Sequence, residues 1–280
     1  MQFGVTMFPA DYAMNVVDLG RAVEERGLES LFLPEHTHIP VSRETPWSGG
    51  GDLPREYAHT LDPFVALAAI AAVTTRIKLG TGICLVIQRD PILLAKEVAS
   101  LDHISGGRFL FGVGAGWLRE EIANHGTEPR QRWGVFDERM RAMQAIWSSD
   151  EASFHGRHVR FDPIWSWPKP VQQPRPPVLL GGDYTAAIQR VIELADEWMP
   201  HPDRGDQPLE ERIAGFWQAS EAAGRGRLPV TVYGSRVEPK LVEEYLAAGV
   251  SRCVFRLPAA AADEVLPALD RAAAVAGEFS

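Results

Sequence analysis

Glu35-His36-Thr37-His38 places one carboxylate and two imidazoles within four positions. Histidine titrates near neutral pH, so it can take up or release a proton during a reaction. A His-x-His pair can also begin a metal site, but that needs further histidines and a carboxylate at later strand ends. Here the later ends carry Gly181-Gly182 and Arg256, with one more histidine, His201. No metal is therefore expected. His36 is read as the group handling a proton or hydride, with a purely structural rim histidine as the alternative.

Glycines supply the second signal. Gly112-Val-Gly-Ala-Gly-Trp117 and Gly181-Gly182-Asp183 each close an apolar run, Gly82-Ile83-Cys84 another, and Gly234 follows Tyr233. Glycine lets a ligand approach the backbone and permits unusual dihedrals. Several on one rim suggest a flat or phosphorylated ligand lying across it. Gly181-Gly182 immediately precedes a helical pattern, where free N–H groups and the positive helix end favour an anion. Asp183 fits an N-cap, and its charge must point away from any phosphate. The strand-4 run resembles a dinucleotide fingerprint only weakly. That fingerprint belongs on the first strand of a βαβ unit, with an acidic residue about 20 positions on.

Strands and helices must bring these residues together. Eight short apolar runs read as buried parallel strands: residues 2–8, 30–34, 77–83, 108–113, 178–181, 197–200, 229–233 and 252–257. Helical patterns alternate with them at residues 12–26, 62–74, 91–104, 136–147, 184–195, 209–223, 239–248 and 263–276. Eight βα units in 280 residues predict an α/β fold, a single (β/α)8 TIM barrel spanning residues 1–280. An open doubly wound sheet is the alternative. In a barrel the chemistry sits at the C-terminal strand ends, which makes Phe8, Trp117 and His201 candidate substrate contacts. Two connections are long. The loop after strand 2, residues 37–60, is read as a substrate lid. The insertion before strand 5, residues 150–177, contains a hairpin-like 153–161 around Gly156 and is read as packing or an interface.

Composition removes other classes. The net charge is −9 with no Lys/Arg block, so no nucleic acid or anionic membrane is expected as a partner. The longest apolar run, residues 64–73, is too short to span a bilayer. No basic n-region precedes the first strand, and Cys84 and Cys253 read as buried free thiols. Together these point to a soluble cytoplasmic protein.

The order and spacing of several motifs resemble the luciferase-like monooxygenase superfamily along nearly the whole chain. They are Pro34-Glu35-His36, Gly80-Thr-Gly-Ile83, Ser105-Gly-Gly-Arg-Phe109, Gly112 to Trp117 with Glu121 after it, Phe136-Asp-Glu138, Gly181-Gly182 and Leu194-Ala-Asp-Glu-Trp198. The length and the Glu-His after strand 2 look most like the deazaflavin branch, which uses coenzyme F420. The resemblance implies a ring at the barrel mouth and a non-proline cis peptide at Gly82-Ile83 against its back face. It implies coenzyme contacts at Glu35, Gly82, Ile83, Gly114, Ala115, Gly116, Gly181, Gly182 and Asp183, with His36 catalytic, and a homodimer. The branch's sugar-phosphate dehydrogenases carry Glu directly after the strand-4 Gly-x-Gly. Trp117 stands there in this chain, which favours a small uncharged organic substrate. The implied function is hydride transfer between F420 and that substrate. An FMN-dependent two-component monooxygenase and a non-catalytic coenzyme-binding protein are the alternatives.

Overall fold

Short runs rich in Val, Leu, Phe and Gly form the strands, because both faces of a parallel sheet are covered. In chain order they are β1 (Gln2–Thr6), β2 (Ser30–Leu33), β3 (Lys78–Thr81), β4 (Cys84–Leu85), β5 (Phe109–Gly114), β6 (Glu151–His155), β7 (Arg160–Trp165), β8 (Val178–Gly181), β9 (Glu197–Met199), β10 (Thr231–Ser235) and β11 (Arg252–Arg256). The helices are α1 (Val16–Glu25), α2 (Glu56–His59), α3 (Pro63–Ala71), α4 (Pro91–Ser105), α5 (Arg119–Asn124), α6 (Arg132–Ser148), α7 (Thr185–Leu194), α8 (Leu209–Ala222), α9 (Pro239–Ala247) and α10 (Ala262–Glu278). The structure, a computed structural model, describes residues 1–279.

The main sheet is parallel, in the order β10-β11-β1-β2-β3-β5-β8-β9. Its two edges meet. Trp198 forms a parallel bridge with Val230, and the Tyr233 N–H donates to Pro200 O at 2.9 Å. These contacts curl the eight strands into an almost closed barrel and exclude the open sheet. Phe32, Leu110, Leu179, Met199 and Val254 fill its interior. A larger apolar layer packs the strands against the helices.

Helix starts follow local chemistry. Asp62 and Asp90 accept N–H bonds at the first turns of α3 and α4, each followed by proline at the first helical position. The Ser105-Gly-Gly-Arg motif ends α4. Gly106 has φ 66° and Gly107 φ 78°, a left-handed turn that glycine adopts freely. The Arg108 guanidinium then donates to the carbonyls of Ala71, Thr74, Ile77 and Ser105, capping the end of α3.

Several boundaries differ from the sequence reading. α1 begins at Val16, because residues 12–15 form a turn capped by the Asn15 side chain. α6 begins at Arg132, four residues early. The third run breaks after Thr81 and resumes as β4, which pairs only with β5. The insertion forms the hairpin β6–β7. Its turn is held by Glu138, whose carboxylate accepts from the N–H groups of Arg157, His158 and Val159. Asp137 beside it pairs with Arg190 at 2.6 Å, which accounts for the Phe136-Asp-Glu138 motif. Among the described residues no helix is long and apolar enough to cross a membrane. Cys84 and Cys253 are buried and free.

At the N-terminal end of the barrel a polar cluster replaces apolar packing. Arg252 donates to Glu29 Oε2 at 2.9 Å, Thr231 Oγ1 at 3.0 Å, Gln2 Oε1 at 2.8 Å and Glu197 Oε1 at 3.3 Å. The opposite, C-terminal end is open.

Candidate active site

A cavity of about 1000 Å³ occupies that open end. Its floor is the cis Gly82–Ile83 peptide. The glycines that line it also make room for the protein's own side chains. A Cβ on Gly114 would lie 2.0 Å from Ile83 Cδ1, and one on Gly82 would lie 2.4 Å from the Tyr233 ring. Gly181 likewise leaves room for Ile83. Ile83 is thus wedged upright as an apolar floor. Ala115 and Gly116 continue the wall after β5, with Gly116 in the left-handed region at φ 73°.

His36 rises from the end of β2 into the cavity. Its Nδ1 lies 2.9 Å from Glu121 Oε2, and both side chains are buried. The carboxylate accepts the Nδ1 proton, which fixes the tautomer and the ring orientation. Nε2 has no partner among the described residues and remains available to a ligand. Glu120, one residue earlier on α5, holds the loop after β2. It accepts the N–H groups of Glu44 and Thr45 at 2.7 and 3.0 Å. Burial raises its carboxyl, but these donors outweigh that and hold it at about 2.

Glu35 lines the cavity, yet its carboxylate is bound elsewhere. Leu85 N–H donates to Oε2 at 2.6 Å and Arg89 to Oε1 at 2.7 Å. Glu35 therefore braces the end of β2 against β4, and its charge is not free for a coenzyme. His38 also turns away. Its ring meets Thr37 Oγ1 at 3.0 Å and Asn124 Nδ2 at 2.9 Å, outside the cavity lining. Among the described residues no group of three or more His, Cys, Asp or Glu side chains could hold a metal.

Aromatic rings form the upper wall. Tyr57, on α2 in the loop after β2, packs 4.6 Å from Phe8, 5.2 Å from His36 and 6.5 Å from Trp117 between ring centroids. Trp117 meets His36 edge-on at 6.1 Å. Beyond β8, Gly182 and Asp183 lead into α7, whose first turn no side chain caps. Asp183 pairs with Arg212 at 2.7 Å, so its charge is neutralised at the cavity edge.

A sequence model described as luciferase-like monooxygenase matches residues 1–237. The chain belongs to the luciferase-like monooxygenase family. At 38% identity over 279 residues, 98% of each chain, it is similar to the uncharacterized protein Rv0953c of Mycobacterium tuberculosis. Over 110 residues, 38% of this chain and 30% of the other, it is 36% identical to the FMNH(2)-dependent dimethylsulfone monooxygenase of Pseudomonas putida. The coenzyme F420 dependent tetrahydromethanopterin reductase of Methanopyrus kandleri shares the fold, with TM-score 0.79 at 17% identity, covering 100% of this chain and 99% of that one.

Within this luciferase-like barrel His201, after β9, is the second histidine on the cavity wall. Burial first, then the Arg204 guanidinium, pushes it down to about 4. It is neutral at pH 7. We expect its Cε1 proton resonance to stay flat from pH 8 to 5.5 in an NMR titration; movement centred near the ordinary value of about 6.5 would show the ring to be solvated. The unfolded chain takes up this proton first. The depressed value therefore costs stability progressively as pH falls from about 6.5 toward 4.

Three contributors were not assigned a role from sequence. Glu121 belongs to a quoted motif, but only the fold brings it to His36. Tyr57 follows a Pro/Gly/Ser-rich stretch with no periodicity. Arg212 lies inside a helical pattern that reads as ordinary solvent-facing charge.

Proposed function

We propose that the protein is an oxidoreductase that transfers a hydride between a deazaflavin of the F420 type and a small uncharged organic substrate. The observation that carries this reading is the His36–Glu121 pair, with Nε2 open to an aromatic-walled cavity above Gly82–Ile83. The cavity suits a flat ring with a charged tail. Its floor is apolar, and the uncapped start of α7 offers backbone N–H donors to a phosphate. Arg212 Nε is buried there without a partner. Gly82, Ile83, Gly114, Ala115 and Gly116 would lie along the ring, and Gly181, Gly182 and Asp183 at the tail.

When bound, the deazaflavin supplies a carbon that accepts or donates hydride, whereas a reduced flavin has nitrogen there and reacts with oxygen. His36 Nε2 accepts or returns the substrate's proton while Glu121 holds Nδ1. Phe8, Tyr57 and Trp117 exclude water and bind the substrate's apolar part, and neutral His201 adds a polar contact without charge. The F420-dependent reductase aligns along the whole chain, and that supports a deazaflavin. The partial match to an FMNH(2)-dependent enzyme supports FMN as the second reading. A merely coenzyme-binding role leaves the oriented histidine without a purpose.

Titration with F420 and with FMN, followed by fluorescence quenching, tests the reading. F420 should bind at least about tenfold more tightly; a preference for FMN overturns the deazaflavin assignment. Gly182→Asp should weaken coenzyme binding about tenfold or more beyond Gly182→Ala. Both strain a backbone at φ 128°, and only Asp adds charge against the donors.

We further propose a homodimer. Leu93 and Ile104, about three turns apart on α4, are exposed, as are Trp165 at the end of β7 and Trp167 just after it. The Lys96 ammonium ties the Trp167 carbonyl to that helix. Exposed aromatic and aliphatic groups at this density mark an interface. Light scattering should return about twice the 30.9 kDa of one chain; a monomer at micromolar concentration rejects the dimer.

A further inference from the structure

We propose that the Tyr57 hydroxyl is a catalytic group that grips the substrate oxygen together with His36 Nε2. This rests on the oxidoreductase reading above and adds a residue and a functional group to it. The substrate it implies is neutral and carries a hydroxyl in one redox state and a carbonyl in the other.

Tyr57 is held rigidly, although it lies in a long loop. Asp11 N–H donates to His59 O at 3.1 Å and Leu61 N–H to Pro9 O at 2.9 Å, which stitches α2 to the segment after β1. His59 Nδ1 lies 3.0 Å from Asp11 Oδ1, and Arg256 at the end of β11 pairs with Glu56 at 3.5 Å. The Tyr57 ring is clasped by Phe8 and His36. Its oxygen accepts the Trp47 indole N–H at 3.2 Å. Its own proton has no acceptor among the described residues.

The other cavity tyrosines are differently placed. The Tyr233 hydroxyl is 2.7 Å from Thr6 Oγ1, and burial raises its ionisation above the ordinary value. Tyr184 is half exposed at the mouth. Tyr57 alone combines a fixed ring, a neighbouring imidazole and an uncommitted proton.

The donor and acceptor pattern selects the substrate. With Nδ1–H given to Glu121, Nε2 is an acceptor, and Tyr57 O–H is a donor. An alcohol oxygen satisfies both, donating to Nε2 and accepting from Tyr57. Oxidation would release a hydride, for which a bound oxidised deazaflavin would be the acceptor, and the hydroxyl proton would pass to Nε2. The resulting carbonyl oxygen has two lone pairs, and it accepts from both Nε2–H and Tyr57 O–H. The same two groups therefore fit both ends of the couple. A hydrocarbon leaves both unmet.

Binding to the coenzyme-free protein separates this proposal from the coenzyme assignment. The probes are cyclohexanol, cyclohexanone and methylenecyclohexane, which share a shape and differ in the oxygen. Their affinities are read by ligand-observed NMR in wild type and Tyr57→Phe. Wild type should prefer cyclohexanol over the hydrocarbon by about tenfold, with cyclohexanone, which only Tyr57 can serve while Nε2 is unprotonated, between the two. Tyr57→Phe should abolish the preference for the ketone and reduce that for the alcohol. The ratio is internal to each protein, so a loss of stability in the variant does not confound it. A wild type that does not discriminate, or a variant that keeps the full preference, overturns the role. In the coenzyme-loaded enzyme kcat should fall in Tyr57→Phe with coenzyme Kd unchanged. Failure of F420 to bind wild type, with the probe preference intact, sinks the deazaflavin reading and leaves Tyr57 standing.

Discussion

His36→Ala lowers kcat by about 10²–10⁴-fold, the range expected for loss of a proton-handling group, while coenzyme Kd changes by less than about threefold. Among the described residues, the variant removes the only cavity imidazole that a carboxylate orients. His201 is a poor replacement, because burial and then the Arg204 guanidinium lower its basicity to about 4. Glu121→Gln isolates the orienting part. Gln keeps the shape but can donate as well as accept, so Nδ1–H is no longer enforced and the ring spends less time with Nε2 as acceptor. Its kcat should fall, by less than in His36→Ala. Steady-state kinetics with coenzyme binding measured on the same preparations decides the matter. Full turnover in His36→Ala with intact binding eliminates the catalytic role. Lost binding with normal turnover at saturating coenzyme reassigns His36 to the coenzyme pocket.

Arg252→Met costs about 3–5 kcal/mol of folding stability at pH 7, because it strands Glu197 as a buried, unpaired carboxylate. Glu29, Gln2 and Thr231 lose a shared donor at the same time. Burial already raises the Glu197 carboxyl against the pull of Arg252, so the folded chain holds that proton more readily than the unfolded one. Its stabilising effect is complete below the unfolded value of about 4.3 and fades as pH rises through the folded value. The deficit of the variant should therefore shrink between pH 7 and pH 4.5. Replacing both partners, as Arg252→Met with Glu197→Leu, should recover much of the loss, since a well-packed apolar pair avoids the desolvation cost. Urea unfolding of the three variants at both pH values checks this. Equal stability of wild type and Arg252→Met would show that water reaches the cluster.

The barrel was legible because the strands of the parallel sheet are short apolar runs and the longer helices between them carry helical patterns. The rim was legible because barrels place strand ends together, so the site residues converge on one cavity. The division of labour among neighbours was not. Glu35 and Glu121 are both carboxylates near His36, and only packing decides that Arg89 claims the first and His36 the second. Gly82 and Gly114 read as openings for a ligand; that they also make room for Tyr233 and Ile83 is set by packing that leaves no mark in the sequence. Tyr57 has no periodic signal, because the backbone pairing of residues 9–11 with 59–61 places it. α6 starts early because its first turn follows a proline-initiated turn, where apolar periodicity is absent.

α5 is six residues long and does two things with adjacent carboxylates: Glu120 anchors the loop at Glu44 and Thr45, and Glu121 aims His36. The two are spliced into one rocker. Loop and imidazole therefore hang from neighbouring residues of one short helix, so a ligand that displaced the loop would also disturb the aim of His36.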